Sequence, residues 1–479
     1  MDPAEFRRNG HALVEWIAEY LSNSERYPVL PRVAPGDVRD ALPDSPPESG
    51  ESFEAIFEDF ERILVPALTH WNHPGFFAYF PATTSASGVL AEFLSAALNQ
   101  QAMLWKTSPA ATELEEVSLG WLRRLLGLPD AFDGVIYDTA SISSLHALAA
   151  ARQVAVPDVR ERGLAARPDV GPLRIYCSEQ AHSSIDKAVL MLGMGHSSLR
   201  RIPVDREFAM RADALRAAID EDRRAGITPV AVVATIGTTS STGVDPVAAA
   251  ARICREQRIW LHVDAAYAGV TAMLPECASH FTGWEDADSI VVNPHKWLFT
   301  PFDLSAFYCR RMDVVREAFS LVPEYLKTAE GTAGVRNLMD SGIQLGRRFR
   351  SLKLWMMLRH FGATRLRGVL REHIRLAHEF AARVDEHPDF ERLAPVPFAT
   401  VSFRAKPRDL ALTAPELDRF NERVLDAVNA SGEVFLSHTR LNGAFVLRIA
   451  IGHLRTTSAH TGRAWTLLVE HTAALARAH

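Results

Sequence analysis

From about residue 88 onward the chain alternates between short apolar runs and helix-like stretches, and that alternation leaves few folds open. The runs are "GVIYD" from 134, "RIYC" from 174, "VAVVATIG" from 230, "IWLHVD" from 259, "SIVVN" from 289 and "SAFYC" from 305. Several are apolar without a polar alternate, as strands are when helices cover both faces. Between them, 143–155, 183–192 and 246–256 carry helical spacing. Strand and helix in succession build a mostly parallel sheet, so the chain reads as α/β. After "LGRRFRSLKLWMMLRHFG" at 345–362 the rhythm changes to long helices with two further runs, "ATVSFR" from 399 and "FVLRIAI" from 445. These are expected to form a smaller α+β domain. The Pro-, Asp- and Ser-rich stretch "LPDSPPESGESF" at 42–53 reads as a linker between an N-terminal helix and another at 52–68. The expected division is a helical N-terminal segment at 1–85, a large domain at 86–370 and a small one at 371–479.

Composition excludes several classes of protein. With 52 Lys and Arg against 58 Asp and Glu the net charge is −6, and the basic pairs (Arg7-Arg8, Arg223-Arg224, Arg347-Arg348) are scattered, so no nucleic-acid partner is expected. No stretch approaches the roughly 20 apolar residues of a membrane span, and "MDPAEFRRNGHALVEWIAEYL" reads as an amphipathic helix rather than a leader. Cys177, Cys254, Cys277 and Cys309 have no CxxC spacing, which argues against a disulfide framework or a metal site and for a cytoplasmic location.

Ligands of open α/β sheets bind where strands end, so the polar residues after each run are the candidates. "DTASISS" places Thr139, Ala140 and Ser141 at a helix start, which suits either an N-cap or a phosphate. Asp264 closes "IWLHVD" and needs a partner, either a cap, a buried ion pair or a cationic ligand. Lys296 follows "SIVVN" inside "NPHKWLF", between His295 and Trp297. A snorkelling lysine is the ordinary reading, but burial there would depress its pKa and leave an amine nucleophilic toward aldehydes. His182 in "EQAHSS" stands before another helix. A phosphate cradle, a carboxylate, a lysine and an imidazole at the strand ends of one sheet together match the needs of pyridoxal 5'-phosphate.

These motifs carry a resemblance. With "HPGFFAYFP" at 73–81, "SPAATELE" at 108–115, "HVDAAYAG" at 262–269, "NPHKWLF" at 293–299 and "LGRRFRSLKLW" at 345–355, the chain resembles the pyridoxal-phosphate-dependent group II amino-acid decarboxylases, most closely the aromatic L-amino-acid decarboxylases. The resemblance implies the fold type I (aspartate aminotransferase-like) architecture and a homodimer. By it, Lys296 is the Schiff-base lysine, Asp264 the partner of the pyridine nitrogen, His182 the residue stacked on the ring and Ala266 the support of its other face. Ala140, Ser141 and Asn293 match phosphate-binding positions, Thr239 lies close to the cofactor, His295 stands at the substrate carboxylate, and Tyr325 of "VPEYLK" occupies the place of the tyrosine that protonates the substrate carbon.

For the substrate, Trp71, Tyr79, Phe80 and Pro81 match an aromatic and apolar wall, with no arginine among them to pair with a distal carboxylate. The pattern departs from the family at Ala82, where a threonine is usual, and at Gln101 and Met103, where an apolar pair reaches the partner's pocket; Gln101 would read a ring hydroxyl or an indole N–H. Asp138 and Ile142 replace a glycine and a glutamate near the phosphate, and "RNLMDSG" at 336–342 lacks the usual aromatic and basic residues. The implied reaction is decarboxylation of an aromatic amino acid to its amine. The alternatives are oxidative decarboxylation to an aldehyde, a non-aromatic substrate such as glutamate or histidine, and a catalytically silent relative.

Overall fold

The computed structural model describes residues 1–321 and 335–478. The chain divides into two compact units: residues 82–378 with 392–402, and residues 1–81 with 379–391 and 403–478 of the described chain.

The larger unit is built on a seven-stranded sheet of β1 (Asp133–Tyr137), β2 (Leu173–Ser178), β3 (Leu199–Ile202), β4 (Thr228–Thr235), β5 (Trp260–Asp264), β6 (Ser289–Val292) and β7 (Ser305–Cys309). Its order is β1-β7-β6-β5-β4-β2-β3. Strands β2 to β6 pair in parallel, while β7 runs antiparallel to both β6 and β1. It follows that β1 points the same way as β2 through β6. The strands β4, β5 and β6 are buried along nearly their whole length, which explains their unbroken apolar runs. The helix Ala140–Ala155 packs its Ala147–Ala151 segment into the core with Val135, Ile175 and Val233.

Two features of this unit were not legible as apolar runs. The edge strand β3 is "LRRI"; its Arg200 reaches Asp222 and Glu221 and its Arg201 reaches Asp186, so charge rather than burial marks it. Lys296 does not sit at a strand end: it lies in the short helix Pro294–Trp297 beyond β6 and is half-buried, not fully buried. At the C-terminal side, Ser351–Glu386 is a single long helical element broken only at Gly362, where φ is +65°, so the boundary expected near 370 falls inside a helix.

In the smaller unit the first and last parts of the chain fold together. Val29 N–H donates to Gly432 O (2.8 Å), Phe77 N–H to Phe435 O (2.9 Å), Phe435 N–H to Gly75 O (3.0 Å) and Ala450 N–H to Phe77 O (2.8 Å). The segment 1–81 therefore belongs to one compact unit with C-terminal residues instead of standing alone, a long-range pairing that periodicity does not encode. A four-stranded sheet has the order β10-β11-β9-β8, with β8 at Phe390–Arg392, β9 at Thr400–Ala405, β10 at Ser437–Leu441 and β11 at Ala444–Ala450. The antiparallel β10–β11 hairpin turns at Asn442 and Gly443, φ +50° and +83°. Both residues tolerate the left-handed region that a two-residue hairpin requires. Among the described residues no helix is long and apolar enough to cross a membrane.

One contact decides the sign of a helix substitution. In the helix Ala86–Leu98 a Cβ at Gly88 would lie 2.3 Å from Pro301 Cδ, whereas at Gly120 in Pro109–Leu125 nothing lies within 4 Å. Gly120→Ala should stabilise by up to about 1 kcal/mol. Gly88→Ala should destabilise by about 2 kcal/mol, because the clash outweighs the helix preference. Chemical unfolding of the two variants measures both signs.

Candidate active site

Because β1, β2, β4, β5 and β6 share a direction, their last residues meet at one edge of the sheet. Asp264 ends β5 and is 6% exposed. Its Oδ1 accepts from Ala266 N–H at 3.1 Å, and Ala266 is buried in the same turn. Asn293 N–H donates to Ala266 O (3.1 Å), and Lys296 N–H to Asn293 O (2.9 Å), so the backbone links the carboxylate, the amide and the lysine in sequence.

The residues flanking Lys296 anchor it. Trp297, fully buried, stacks on Tyr267 with ring centroids 4.9 Å apart and donates through Nε1 to His373 Nδ1 (2.9 Å). His295, 3% exposed, accepts at Nδ1 from Leu304 N–H (2.8 Å). Burial, with Lys296 and Lys353 adding repulsion, lowers the His295 pKa to about 3, so the ring is neutral. A neutral ring that accepts at Nδ1 carries its proton on Nε2. Asn293 Nδ2 is placed 3.2 Å from that nitrogen, which would set two donors face to face. The amide is therefore better turned over, with its oxygen toward Nε2 and its NH2 at the buried position that has no protein hydrogen-bond partner. A buried donor there suits an anion.

At the end of β1 the helix Ala140–Ala155 starts with Thr139 at the N-cap, yet no side chain caps it. The Thr139 hydroxyl donates instead to Asp138 Oδ1 (3.1 Å), which also accepts from Thr139 N–H (2.6 Å). Ile142 and Ser143 N–H both bond Thr139 O, so the amides of half-buried Ala140 and exposed Ser141 are the ones at the open end. The other oxygen of Asp138 accepts from Gln344 Nε2 (3.2 Å), so hydrogen bonds engage both of its oxygens. Ile142 is half-buried against the main core. In "RNLMDSG", Arg336 bonds Asp133 and Gly134, and Leu338 and Met339 are buried, so this stretch has contacts of its own.

His182 follows β2 and is exposed; its Nδ1 accepts from Ser184 N–H (3.1 Å) and lies 2.9 Å from Ser184 Oγ. Desolvation first, then Lys296 and Lys187, lowers its pKa against the pull of Asp264 and Asp186. That Asp264 and Lys296 both act on it places the three in one electrostatic neighbourhood. Thr239 is exposed in the turn after β4; Ala82 is half-buried. Gln101 is exposed and its Oε1 accepts from Arg347 N–H (2.6 Å), while Met103 packs with Leu104 and Met339. Tyr325 lies outside the described residues.

Within the smaller unit Trp71 stacks on Phe76 (4.4 Å) and Tyr79 (6.0 Å), both Trp71 and Tyr79 being exposed. The backbone of Tyr79 adopts φ +53°, while Pro81 is buried. An arginine that the sequence reading did not single out lies beside this wall: Arg448, 3% exposed, lies over the Phe80 ring at 4.4 Å and donates to Tyr79 O. The signal was available in "FVLRIAI", where a lone arginine interrupts an apolar strand.

The Pyridoxal-dependent decarboxylase conserved domain matches residues 35–406. The chain belongs to the pyridoxal-dependent decarboxylase family. It is 41% identical to phenylacetaldehyde synthase of Arabidopsis thaliana, covering 98% of this chain and 96% of that one, and 41% identical to the aromatic-L-amino-acid decarboxylase of Sus scrofa, covering 97% and 96%. The crystal structure of Oryza sativa TDC with PLP and tryptamine superposes with a TM-score of 0.95 at 36% identity, covering 99% of each chain. The fold expectation is thus borne out, and the protein is a decarboxylase of this family that uses pyridoxal phosphate. Its residues fit that group: an uncapped helix start and a buried amide donor for a phosphate, a carboxylate and a lysine one strand apart, and an exposed imidazole beside them.

A neighbouring histidine sets a pH dependence. His146, 1% exposed in the helix Ala140–Ala155, accepts from Ile343 N–H (3.3 Å), and burial lowers its pKa to about 3. Between pH 6.5 and about 3 the unfolded chain binds a proton here that the folded protein does not, so stability falls as pH drops through that window. His146→Leu should reduce the loss between pH 7 and 5 by about 2 kcal/mol, read from urea unfolding of the apo-protein at the two pH values.

Proposed function

We propose that the protein converts an aromatic L-amino acid to its amine and CO2. The observation that carries this reading is the clustering of Asp264, Asn293, His295, Lys296 and His182 at one sheet edge. Pyridoxal phosphate, when bound, supplies the electron sink for the pair left behind as the carboxyl group departs. Lys296 would hold the group through its aldehyde. Asp264 keeps a proton on the pyridine nitrogen. Ala140, Ser141 and Asn293 would hold the phosphate, Thr239 and Ala266 would border the cofactor, and neutral His295, whose Nε2–H is taken by the Asn293 oxygen, would fix that amide while its ring stands on the substrate side. His182 would face the ring and relay a proton, which Tyr325 would deliver to the substrate carbon. Trp71, Tyr79, Phe80, Pro81 and Ala82 receive the aromatic side chain.

The relatives support this reading, being aromatic-L-amino-acid, tyrosine and tryptophan decarboxylases. The aldehyde-forming alternative has a relative of equal identity. Retention of both Tyr325 and His182 in the sequence favours the amine. Purified protein should show a visible coenzyme band that Lys296→Ala abolishes, and chromatography after incubation with L-DOPA, 5-hydroxytryptophan, tryptophan, tyrosine, phenylalanine, histidine and glutamate should yield aromatic amines. Aldehyde as the main product, or turnover of glutamate alone, overturns the proposal.

The same panel tests Gln101. Its carbonyl is held by Arg347 N–H, which leaves Nε2 as a donor, suited to a ring hydroxyl oxygen rather than to an indole N–H. Gln101→Leu should therefore lower kcat/KM about tenfold for hydroxylated rings relative to phenylalanine; an unchanged profile removes this role.

We propose a homodimer as well. Leu90, Phe93, Leu94 and Leu98 expose an apolar stripe on the helix Ala86–Leu98, directly before Gln101 and Met103. A second copy is the occupant that the resemblance implies for this face. Sedimentation should give twice the 53.0 kDa chain mass, and a monomer at micromolar concentration would refute it. All four cysteines are unpaired and buried, which accords with the proposed cytoplasmic location.

A further inference from the structure

Behind the cofactor-facing residues lies a second polar layer for which the reading above has no use. His262 is fully buried in β5, two residues before Asp264 and hence on the same face of the strand. Its Nε2 lies 3.1 Å from Ser144 Oγ in the helix Ala140–Ala155, and its Nδ1 lies 2.9 Å from Ser289 Oγ at the start of β6. Ser289 Oγ in turn accepts from Trp260 Nε1 at 2.9 Å. Ser144 and Ser289 are both fully buried and Trp260 is 4% exposed. A neighbouring hydroxyl pair, Ser143 Oγ and Ser305 Oγ at 2.8 Å, joins the same helix to β7.

Burial lowers the His262 pKa to about 4, although Asp264 pulls it up, so the imidazole is neutral at working pH. A neutral ring has one donor and one acceptor nitrogen, and with a hydroxyl at each it is satisfied in either tautomer. Buried apolar contacts let a helix slide at little cost, whereas a satisfied polar network fixes both its rotation and its height. Ser144 lies one turn beyond Ala140, whose amide is at the open end of the helix, and His262 lies two residues before the carboxylate. The rigid cofactor must reach both ends of this arrangement at once.

Resting on the functional reading above, we infer that His262 is a positioning residue: through Ser144 it fixes the distance between the phosphate-binding start of the helix Ala140–Ala155 and the Asp264 carboxylate that meets the pyridine nitrogen. It touches neither substrate nor cofactor. It sets the spacing to which the cofactor's two ends must conform.

The two sides of the ring can be tested separately. A glutamine amide reaches the place of Nε2, so His262→Gln keeps the tie to Ser144; an asparagine amide reaches only the place of Nδ1, so His262→Asn keeps the tie to Ser289 alone. The measurement is the dissociation constant of pyridoxal phosphate from the apo-protein, followed by the coenzyme band, with apo-protein melting temperature recorded for each variant. His262→Gln should stay within about threefold of wild type, while His262→Asn and Ser144→Ala should each weaken binding about tenfold. The double variant His262→Asn/Ser144→Ala should be no weaker than either single one. Wild-type affinity in Ser144→Ala, or equal weakening in His262→Gln and His262→Asn, overturns the inference. Loss of the coenzyme band in the wild type itself would instead overturn the functional reading.

Discussion

A strand delivers its last residues to one edge of its sheet, and here six strands deliver theirs to the same edge. Only β7 runs against β1 and β6, and by inserting between them it keeps β1 pointing with the rest. Had β1 paired antiparallel with β6 directly, the helix start at Ala140 would open on the opposite edge from Asp264 and Asn293. The direction of the strands therefore assembles groups that are up to 156 positions apart in the chain, from Ala140 to Lys296. Local anchors then finish the geometry, with Trp297 and His295 holding the turn on either side of Lys296.

The sheet was largely legible because its central strands are buried on both faces and so read as unbroken apolar runs. What escaped was governed by other forces. The edge strand β3 is held by arginine–carboxylate pairs, and β10 alternates exposed and buried residues as one face of an antiparallel hairpin does. The Asn442-Gly443 turn was a readable hairpin signal for it. The union of residues 1–81 with the C-terminal strands rests on backbone bonds between distant segments, such as Phe77 to Phe435, and no local pattern announces these.

In the site, residue type and place were readable, but the use of each hydrogen bond was not. Thr139 has the identity of a capping residue, yet its hydroxyl is turned to Asp138, and this leaves the helix start open. Asp138 looked out of place beside a phosphate; Gln344 and Thr139 account for both of its oxygens. Arg448 was hidden by the apolar strand that carries it, since the pairing with Tyr79 and Phe80 joins residues far apart in sequence.

The apolar stripe of Leu90, Phe93, Leu94 and Leu98 also bears on how the protein is made. In the proposed homodimer a newly synthesised protomer would carry this greasy ridge in water until another copy arrived, and the free energy of covering it would be withheld until then. Part of the stability of such a dimer would be a function of its own concentration, and dilution would be a form of denaturation. During that interval the ridge would compete for any other exposed apolar surface, so the supply of finished dimer would be governed by the race between pairing and aggregation.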